Sequence, residues 1–378
     1  MDLIRTDCRH YELDRPCKPH KKEGVHCEGC PYYDCINSRV LLIKLGAMGD
    51  VLRTTALLGN IRAMEPGCQI TWIAQGRSLD VLQGLEVIDR LWPLDESTAA
   101  LLSVEQFDWV INLDLSAESL ALASLARGKR KSGFGLTEQG VVKCWNPEAR
   151  PYLAMSYWDD IKKQNRKTYQ QLMLDIIGSR EPAGEILVHV PEEEKEYARK
   201  FAEEQGIDSG RPTVGLNIGA AGRWRWKRWT SEGFLQLARA LRERHQANLM
   251  VLSGPDEAEY KAEWIAKCAF PVIDAGHNNT YARFAALVDL CDVVVTGDTM
   301  PLHLALALGK HVVALFGPTS RDEVELYGRG QALSGDVPCL CCYMPDCDVR
   351  PTCMEVLSSE DVLNAVESQL EESGKKRE

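Results

Sequence analysis

Three short stretches hold residue types whose spacing could do chemistry. The first, "KLGAMGD" (Lys44 to Asp50), leaves an apolar run and sets a carboxylate behind two glycines. Gly46 and Gly49, with Met48 between, let the main chain turn tightly and lie close to a ligand. Asp50 then opens a helix. There it can act as an N-cap, or take a proton from a hydroxyl in a cleft. No G-x-G-x-x-G is present, and an acidic group at this helix start would repel a pyrophosphate, so this is no dinucleotide fingerprint. The second stretch, "GAAGRWRWKRWTSEGF" (219–234), packs Arg223, Arg225, Lys227 and Arg228 among three tryptophans. It follows the strand "VGLNIGA", so its cations lie where an anionic leaving group would sit. Lys227 is the first candidate for a diphosphate contact, as a point charge on a flexible stem; a solvated basic loop is the plainer alternative. Trp229, just before a predicted helix, is expected in the core. The third is "VTGDTMPLHLALALG" (295–309). Asp298 or Thr299 caps a helix with Pro301 in its first turn, the free N–H groups form an anion site, and His303 follows within about a turn.

Composition narrows the partners. The chain has 378 residues, a formal net charge of -11, 45% hydrophobic and 26% charged residues, which suits two globular domains of ordinary size. An acidic chain argues against general nucleic-acid binding, which rests on a basic face. The basic burst therefore reads as a pocket. No apolar run approaches the roughly 18 residues of a membrane span, and "MDLIRTDCRH" lacks the layout of a signal peptide. The expected location is the cytoplasm.

The elements that must position these residues alternate regularly. "RVLLIKLG" (39–46) is a continuous apolar run, as in a strand buried on both faces. "VLRTTALLGNIRAM" (51–64) has helical spacing, with Val51, Leu52, Thr55, Leu58 and Ile61 on one face. "QITWIAQG", "FDWVINLDLS" and "KRKSGFG" continue as strands, with helices over 78–85 and 117–127. Residues 136–156 read as loop and 157–178 as one helix. After an acidic helix (191–207) a second round begins at "PTVGLNIGA" and runs, strand and helix in turn, to "HVVALFGP" (311–318). Strand–helix–strand repetition predicts parallel sheets with right-handed crossovers, in two tandem Rossmann-like domains. The predicted boundaries are a cysteine-rich N-terminal segment (1–36), a first Rossmann-like domain (37–185), a second (186–356), and a C-terminal helix and tail (357–378). Ligands of such pairs bind at the carboxyl ends of the strands, between the domains.

Fourteen cysteines are many for a reducing compartment, and they cluster at the two ends. Clustered thiols there suggest metal ligation more than disulfides. The candidate ligands are Cys17, Cys27, Cys30 and Cys35 at the start, with His20 and His26 nearby, and Cys339, Cys342, Cys347 and Cys353 at the end. Cys27-x2-Cys30 is a two-ligand clip, and zinc or iron accepts four thiolates; ordinary thiols are the alternative.

From about Arg39 to Val366 the chain resembles the heptosyltransferases of lipopolysaccharide core assembly, glycosyltransferase family 9. The resemblance is carried by Val40 to Asp50, by Lys227-Arg228-Trp229, and by "GDTMPLHLALALGKHVVALFGPT". It implies a GT-B fold and inverting transfer of a heptose, or a related sugar, from an ADP-activated donor to a lipid-linked glycan hydroxyl. By that resemblance Asp50 is the general base, Lys227 holds the donor phosphates, and Asp298, Thr299 and His303 line the phosphate and sugar end. Glu257 accepts from the ribose, with Asp256 or Glu259 as substitutes. Gly46, Met48, Gly49, Asn217, Gly219, Arg223, Ser253 and Met300 complete the candidate donor site. The first domain would take the acceptor and the second the nucleotide sugar. Transfer would need no cofactor, with any zinc or iron structural, as in a branch carrying cysteine-bound iron. The acceptor would bring the protein into peripheral contact with the inner membrane, and no nucleic acid is implied. Met300-Pro301 departs from the glycine often found after the Asp-Thr pair. Two other readings share this architecture: a nucleotide-sugar epimerase, and a metal-binding protein on an inactive transferase scaffold.

Overall fold

The computed structural model describes residues 3–220 and 222–374, the side chain of Arg223 apart. Among them, twelve strands form two six-stranded sheets. The first contains β1 (Ser38–Ile43), β2 (Cys68–Ala74), β3 (Arg90–Pro93), β4 (Gln106–Asn112), β5 (Arg127–Leu136) and β6 (Val142–Cys144), in the order β3-β2-β1-β4-β5-β6. All are parallel except β6, which returns antiparallel to β5. The second contains β7 (Thr213–Asn217), β8 (Asn248–Leu252), β9 (Ile273–Asp274), β10 (Val293–Gly297), β11 (His311–Phe316) and β12 (Gly330–Ser334), in the order β12-β11-β10-β7-β8-β9, all parallel.

Each sheet reverses its winding at its first strand. β1 lies between β2 and β4, and β7 between β8 and β10. The crevices that ligands use open at such switch points, beyond the carboxyl ends of the strands. The loops leaving β1, β7 and β10 are the three that the sequence singles out. The strands are apolar throughout because helices cover both faces: Val40 to Ile43 and Val293 to Val295 are fully buried.

One apolar core runs through both halves, joining Leu52 and Leu57 of the first to Phe284, Leu302 and Leu304 of the second. Smaller cores lie on the remaining faces. On the second sheet, Val362, Leu363 and Val366 of the helix Ser359–Gly374 pack with Trp229, Phe234 and Leu237. Trp229 is buried as expected, and its Nε1 donates to the Leu357 carbonyl at 3.1 Å. The terminal helix thus belongs to the second lobe.

Several expectations change. The single helix over 157–178 is two, Asp159–Gln164 and Tyr169–Ile177, the second started by a capping box in which Thr168 and Gln171 bond reciprocally. The loop over 136–156 contains β6 and the helix Arg150–Tyr157. β3, the helix Glu96–Val104 and β12 were hidden because each is short or only half-buried, so its apolar period is weak. The N-terminal segment finds a host surface. Arg9 ion-pairs with Asp34 and Asp89 and donates to the Cys68 and Gly67 carbonyls. Gly67, Cys68 and Asp89 stand at the starts of β2 and β3, at the end of the sheet opposite the crevice.

Candidate active site

A cavity of about 870 Å3 lies between the two lobes, lined by the loops after β1, β7, β8 and β10. On the first lobe, the helix Met48–Thr54 begins with Ala47 as N-cap, so Asp50 sits in its first turn and is not the cap. The Asp50 carboxylate faces two cations. Arg53 Nη2 donates to Oδ1 at 2.8 Å, and Lys44 Nζ stands 3.7 Å from Oδ2. Lys44 is 4% exposed and stands equally far, 3.7 Å, from Asp114 on its other side. Asp114 is itself fixed by the backbone N–H groups of Leu45 and Leu115. The four charges cancel: two carboxylates, an ammonium and a guanidinium. Burial alone would raise the Asp50 pKa, but Arg53, Lys44 and His303 outweigh it and hold the carboxyl below the usual range. Arg53 lies 3.9 Å above the Tyr169 ring, which fixes its plane.

On the second lobe, the helix Met300–Ala307 starts at Thr299, with Pro301 in its first turn. Its N-terminus, Asp298 and His303 line the cavity. Asn217 Nδ2 donates to Thr296 Oγ1 at 2.8 Å and to Thr299 Oγ1 at 3.2 Å, tying the end of β7 to the cap. Lys227 Nζ donates to Asp298 Oδ2 at 2.7 Å and to the Asp298 carbonyl at 3.0 Å. Thr319 Oγ1 donates to the same Oδ2 at 2.8 Å. Burial would raise the Asp298 pKa; Lys227, His303 and Arg53 drive it far below the ordinary value. One of the three ammonium protons of Lys227 stays available for a ligand. His303 is pushed down to about 4, first by burial and then by Arg53, so its imidazole is neutral at physiological pH.

The two lobes touch where Gly49 meets His303. A Cβ on Gly49 would fall 3.1 Å from His303 Cδ2 and 3.6 Å from Met300 Cα. The absence of a side chain thus lets the two helix starts approach across the crevice. Gly219 makes room for Glu257 in the same way, since its Cβ would lie 2.9 Å from the Glu257 carboxyl carbon. Glu257 is buried, and Oε2 accepts from Gly254 N at 2.9 Å. Asp256 and Glu259 are exposed and do not line the cavity, so Glu257 alone of the three is placed for a ligand. The Ser253 hydroxyl, also at this end, is buried with no partner among the described residues.

Asp50, Met48, Gly49, Asn217, Gly219, Lys227, Ser253, Glu257, Asp298, Thr299, Met300 and His303 therefore line one cavity. Gly46 does not; it supports the turn behind. The Arg223 side chain lies outside the described residues. The basic burst converges less than its sequence suggests. Arg225 is 67% exposed, 3.9 Å from Asp346, and Arg228 lies over the Tyr260 ring outside the cavity. Sequence reasoning missed Arg53 and Arg77, which supply cations to the cavity, and the loop His277 to Tyr281 at its far end. Arg53 was findable: it lies one helical turn after Asp50 on the same face. Arg77 and the 277–281 loop carry no spacing signal.

Among the described residues, no group of three or more His, Cys, Asp or Glu is placed to hold a metal. The two clusters also attach to different lobes. Cys8 and Cys35, both free thiols, pair through their backbones in an isolated antiparallel β-bridge within the N-terminal segment on the first lobe, whereas Cys341 and Cys353 pack against the Gly317–Thr319 turn on the second. Burial and the neighbouring Cys342, Cys347 and Cys339 push the Cys353 thiol up to about 11. Cys339, Cys342, Cys347 and Cys353 are thus neighbours on the second lobe, and no step of the chemistry is routed through a metal.

Comparison with known proteins agrees with this geometry. Residues 97–349 match the sequence profile of glycosyltransferase family 9 (heptosyltransferase), more than half of the chain. The lipopolysaccharide core heptosyltransferase OpsX of Haemophilus influenzae is 26% identical over 294 residues, covering 73% of this chain and 78% of the relative. A solved family 9 glycosyl transferase from Veillonella parvula superposes with a TM-score of 0.74 at 20% identity, covering 89% of this chain and 98% of that one. The E. coli heptosyltransferase WaaC with ADP-2-deoxy-2-fluoro heptose superposes with a TM-score of 0.57 at 18% identity, covering 88% and 99%. The fold is thus GT-B, and the chain belongs to glycosyltransferase family 9, the heptosyltransferases.

Proposed function

We propose that the protein transfers a heptose from ADP-heptose, with inversion, to a hydroxyl of a lipid-linked lipopolysaccharide-core acceptor, with Asp50 as general base. The observation that carries this reading is the pairing across one cavity of a fixed carboxylate on the first lobe with Lys227 and a helix N-terminus on the second. Asp50 is ionised throughout the physiological range and held in place by Arg53. It accepts the proton of the acceptor hydroxyl as that oxygen attacks the anomeric carbon from the face opposite the nucleotide. The transition state is oxocarbenium-like, with negative charge growing on the departing diphosphate. Lys227 and the N–H groups at the start of Met300–Ala307 stabilise that charge more than they stabilise the intact donor, which is what lowers the barrier. The neutral imidazole of His303 bonds the sugar or phosphate without adding charge. Glu257 and Ser253 hold the nucleoside, the carboxylate accepting from ribose hydroxyls.

No helix among the described residues is long and apolar enough to cross a membrane. We place the enzyme at the cytoplasmic face of the inner membrane, meeting its acceptor peripherally. The deciding experiment measures ADP release from ADP-heptose with and without lipopolysaccharide-core acceptor. Acceptor-dependent release of one ADP per sugar transferred supports transfer. Sugar isomerisation without acceptor would instead indicate an epimerase, and no turnover of any ADP-, UDP- or GDP-sugar an inactive scaffold.

A further inference from the structure

A second cavity, of about 240 Å3, lies between the helix Asp159–Gln164 of the first lobe and the turn Arg321–Glu323 of the second. It is too small for a nucleotide sugar. Three cations line it, Lys163 and Arg166 from one lobe and Arg321 from the other, against one carboxylate, Asp322. Asp322 lies 3.3 Å from Arg166. Lys163 and Arg321 have no carboxylate partner among the described residues, so the cavity keeps a surplus of two positive charges in a chain whose net charge is -11. The Ser320 hydroxyl on its wall accepts from the Asp322 N–H.

This cavity backs directly onto the reacting groups. Arg53 reaches Asp50 through Nη2 and the Glu323 carbonyl through Nη1. Thr319, on the wall of the small cavity, donates to Asp298 on the wall of the large one. The donor's charge is met elsewhere, by Lys227 and the helix start. We infer that the small cavity binds a phosphate group carried by the acceptor glycan, anchoring it so that the nucleophilic hydroxyl reaches Asp50. The inference rests on the transferase reading above. Because each lobe supplies part of the site, the acceptor's phosphate would also hold the lobes in register.

The test uses the full chain and the double variant Lys163→Ala/Arg321→Ala. Both positions are exposed, and neither touches the large cavity. Substrates are a phosphorylated lipopolysaccharide-core fragment and the same fragment after phosphatase treatment. The expected result is a rise of more than about tenfold in KM for the phosphorylated fragment, as two charge-assisted contacts are lost, with kcat and ADP affinity within about twofold. The phosphatase-treated fragment should be equally poor with both proteins. Inorganic phosphate should compete with acceptor in the wild type and not in the variant. An unchanged KM for the phosphorylated fragment, or equal competition by phosphate in both proteins, overturns the inference. If neither fragment is turned over, calorimetric binding of the phosphorylated fragment decides independently: binding lost in the variant supports the site, and equal binding rejects it.

Discussion

Replacing Asp50 by Asn removes one negative charge and the proton-accepting oxygen while keeping side-chain shape. The amide oxygen can still accept from Arg53 Nη2 at the 2.8 Å now seen, so the guanidinium should stay above the Tyr169 ring. Lys44 keeps Asp114 at 3.7 Å. The neutral quartet becomes a cationic trio with one counter-charge fewer. Single-partner loss at a fully buried pair costs about 3–5 kcal/mol. Here the Asp50 side chain is 35% exposed and Lys44 retains a partner, so we expect about 1–2 kcal/mol, a melting temperature lower by a few degrees. Catalysis should fall much further. Losing a positioned base costs about 100- to 10,000-fold, or roughly 3–5 kcal/mol at 1.36 per decade. The assay is single-turnover ADP release at saturating donor and acceptor, with calorimetric ADP affinity measured on the same preparation. We expect kcat down at least about 100-fold and ADP affinity within about twofold of wild type. A kcat within about threefold of wild type would refute the base assignment. Asp114→Asn serves as the control: it weakens the support of Lys44 without removing the base, and should cost stability more than rate.

Three further outcomes follow from the geometry. Lys227→Met should weaken donor binding at least tenfold and strip Asp298 of its ion-pair partner, leaving it the Thr319 hydroxyl, at a cost of about 3 kcal/mol; adding Asp298→Asn should restore stability but not donor affinity, as read by denaturant titration and calorimetry. His303 has a folded pKa of about 4 against about 6.5 unfolded. The unfolded chain therefore binds more protons between those values, so stability should be full above about pH 6.5 and fall towards pH 4 by up to about 3 kcal/mol, a slope that His303→Gln flattens. Gly297→Ala would put a Cβ 2.6 Å from the Lys227 carbonyl oxygen. It should cost about 1–3 kcal/mol and raise the donor KM, whereas an unperturbed KM would show that the Lys227 turn tolerates displacement.

The parallel-sheet architecture was legible because buried strands write long apolar runs: β1, β4, β7, β10 and β11 announce themselves. The three chemical loops were legible for the same reason, since each follows such a run. What hid was whatever lacks period or exceeds the local window. β3 and β12 are edge strands with half-buried residues, and the break at Trp158 and Asn165 interrupts a pattern that is helical on both sides. In the site, Asp50, Lys227, Glu257 and His303 were named from sequence, but their partners were not. That Lys227 is spoken for by Asp298, or that Lys44 stands between two carboxylates, depends on strands far apart in the chain. Arg225 and Arg228 misled because charge density in a sequence does not say which way a turn points each side chain.

The apolar core continuous through both lobes has a mechanical implication. Leu52 and Leu57 belong to the same continuous cluster as Phe284, Leu302 and Leu304, so melting one half bares apolar surface of the other. Scanning calorimetry should record one endotherm, not two. Substrate entry must then rely on the mouth already open between the lobes, or on sliding along that greasy seam, rather than on wide gaping of the lobes.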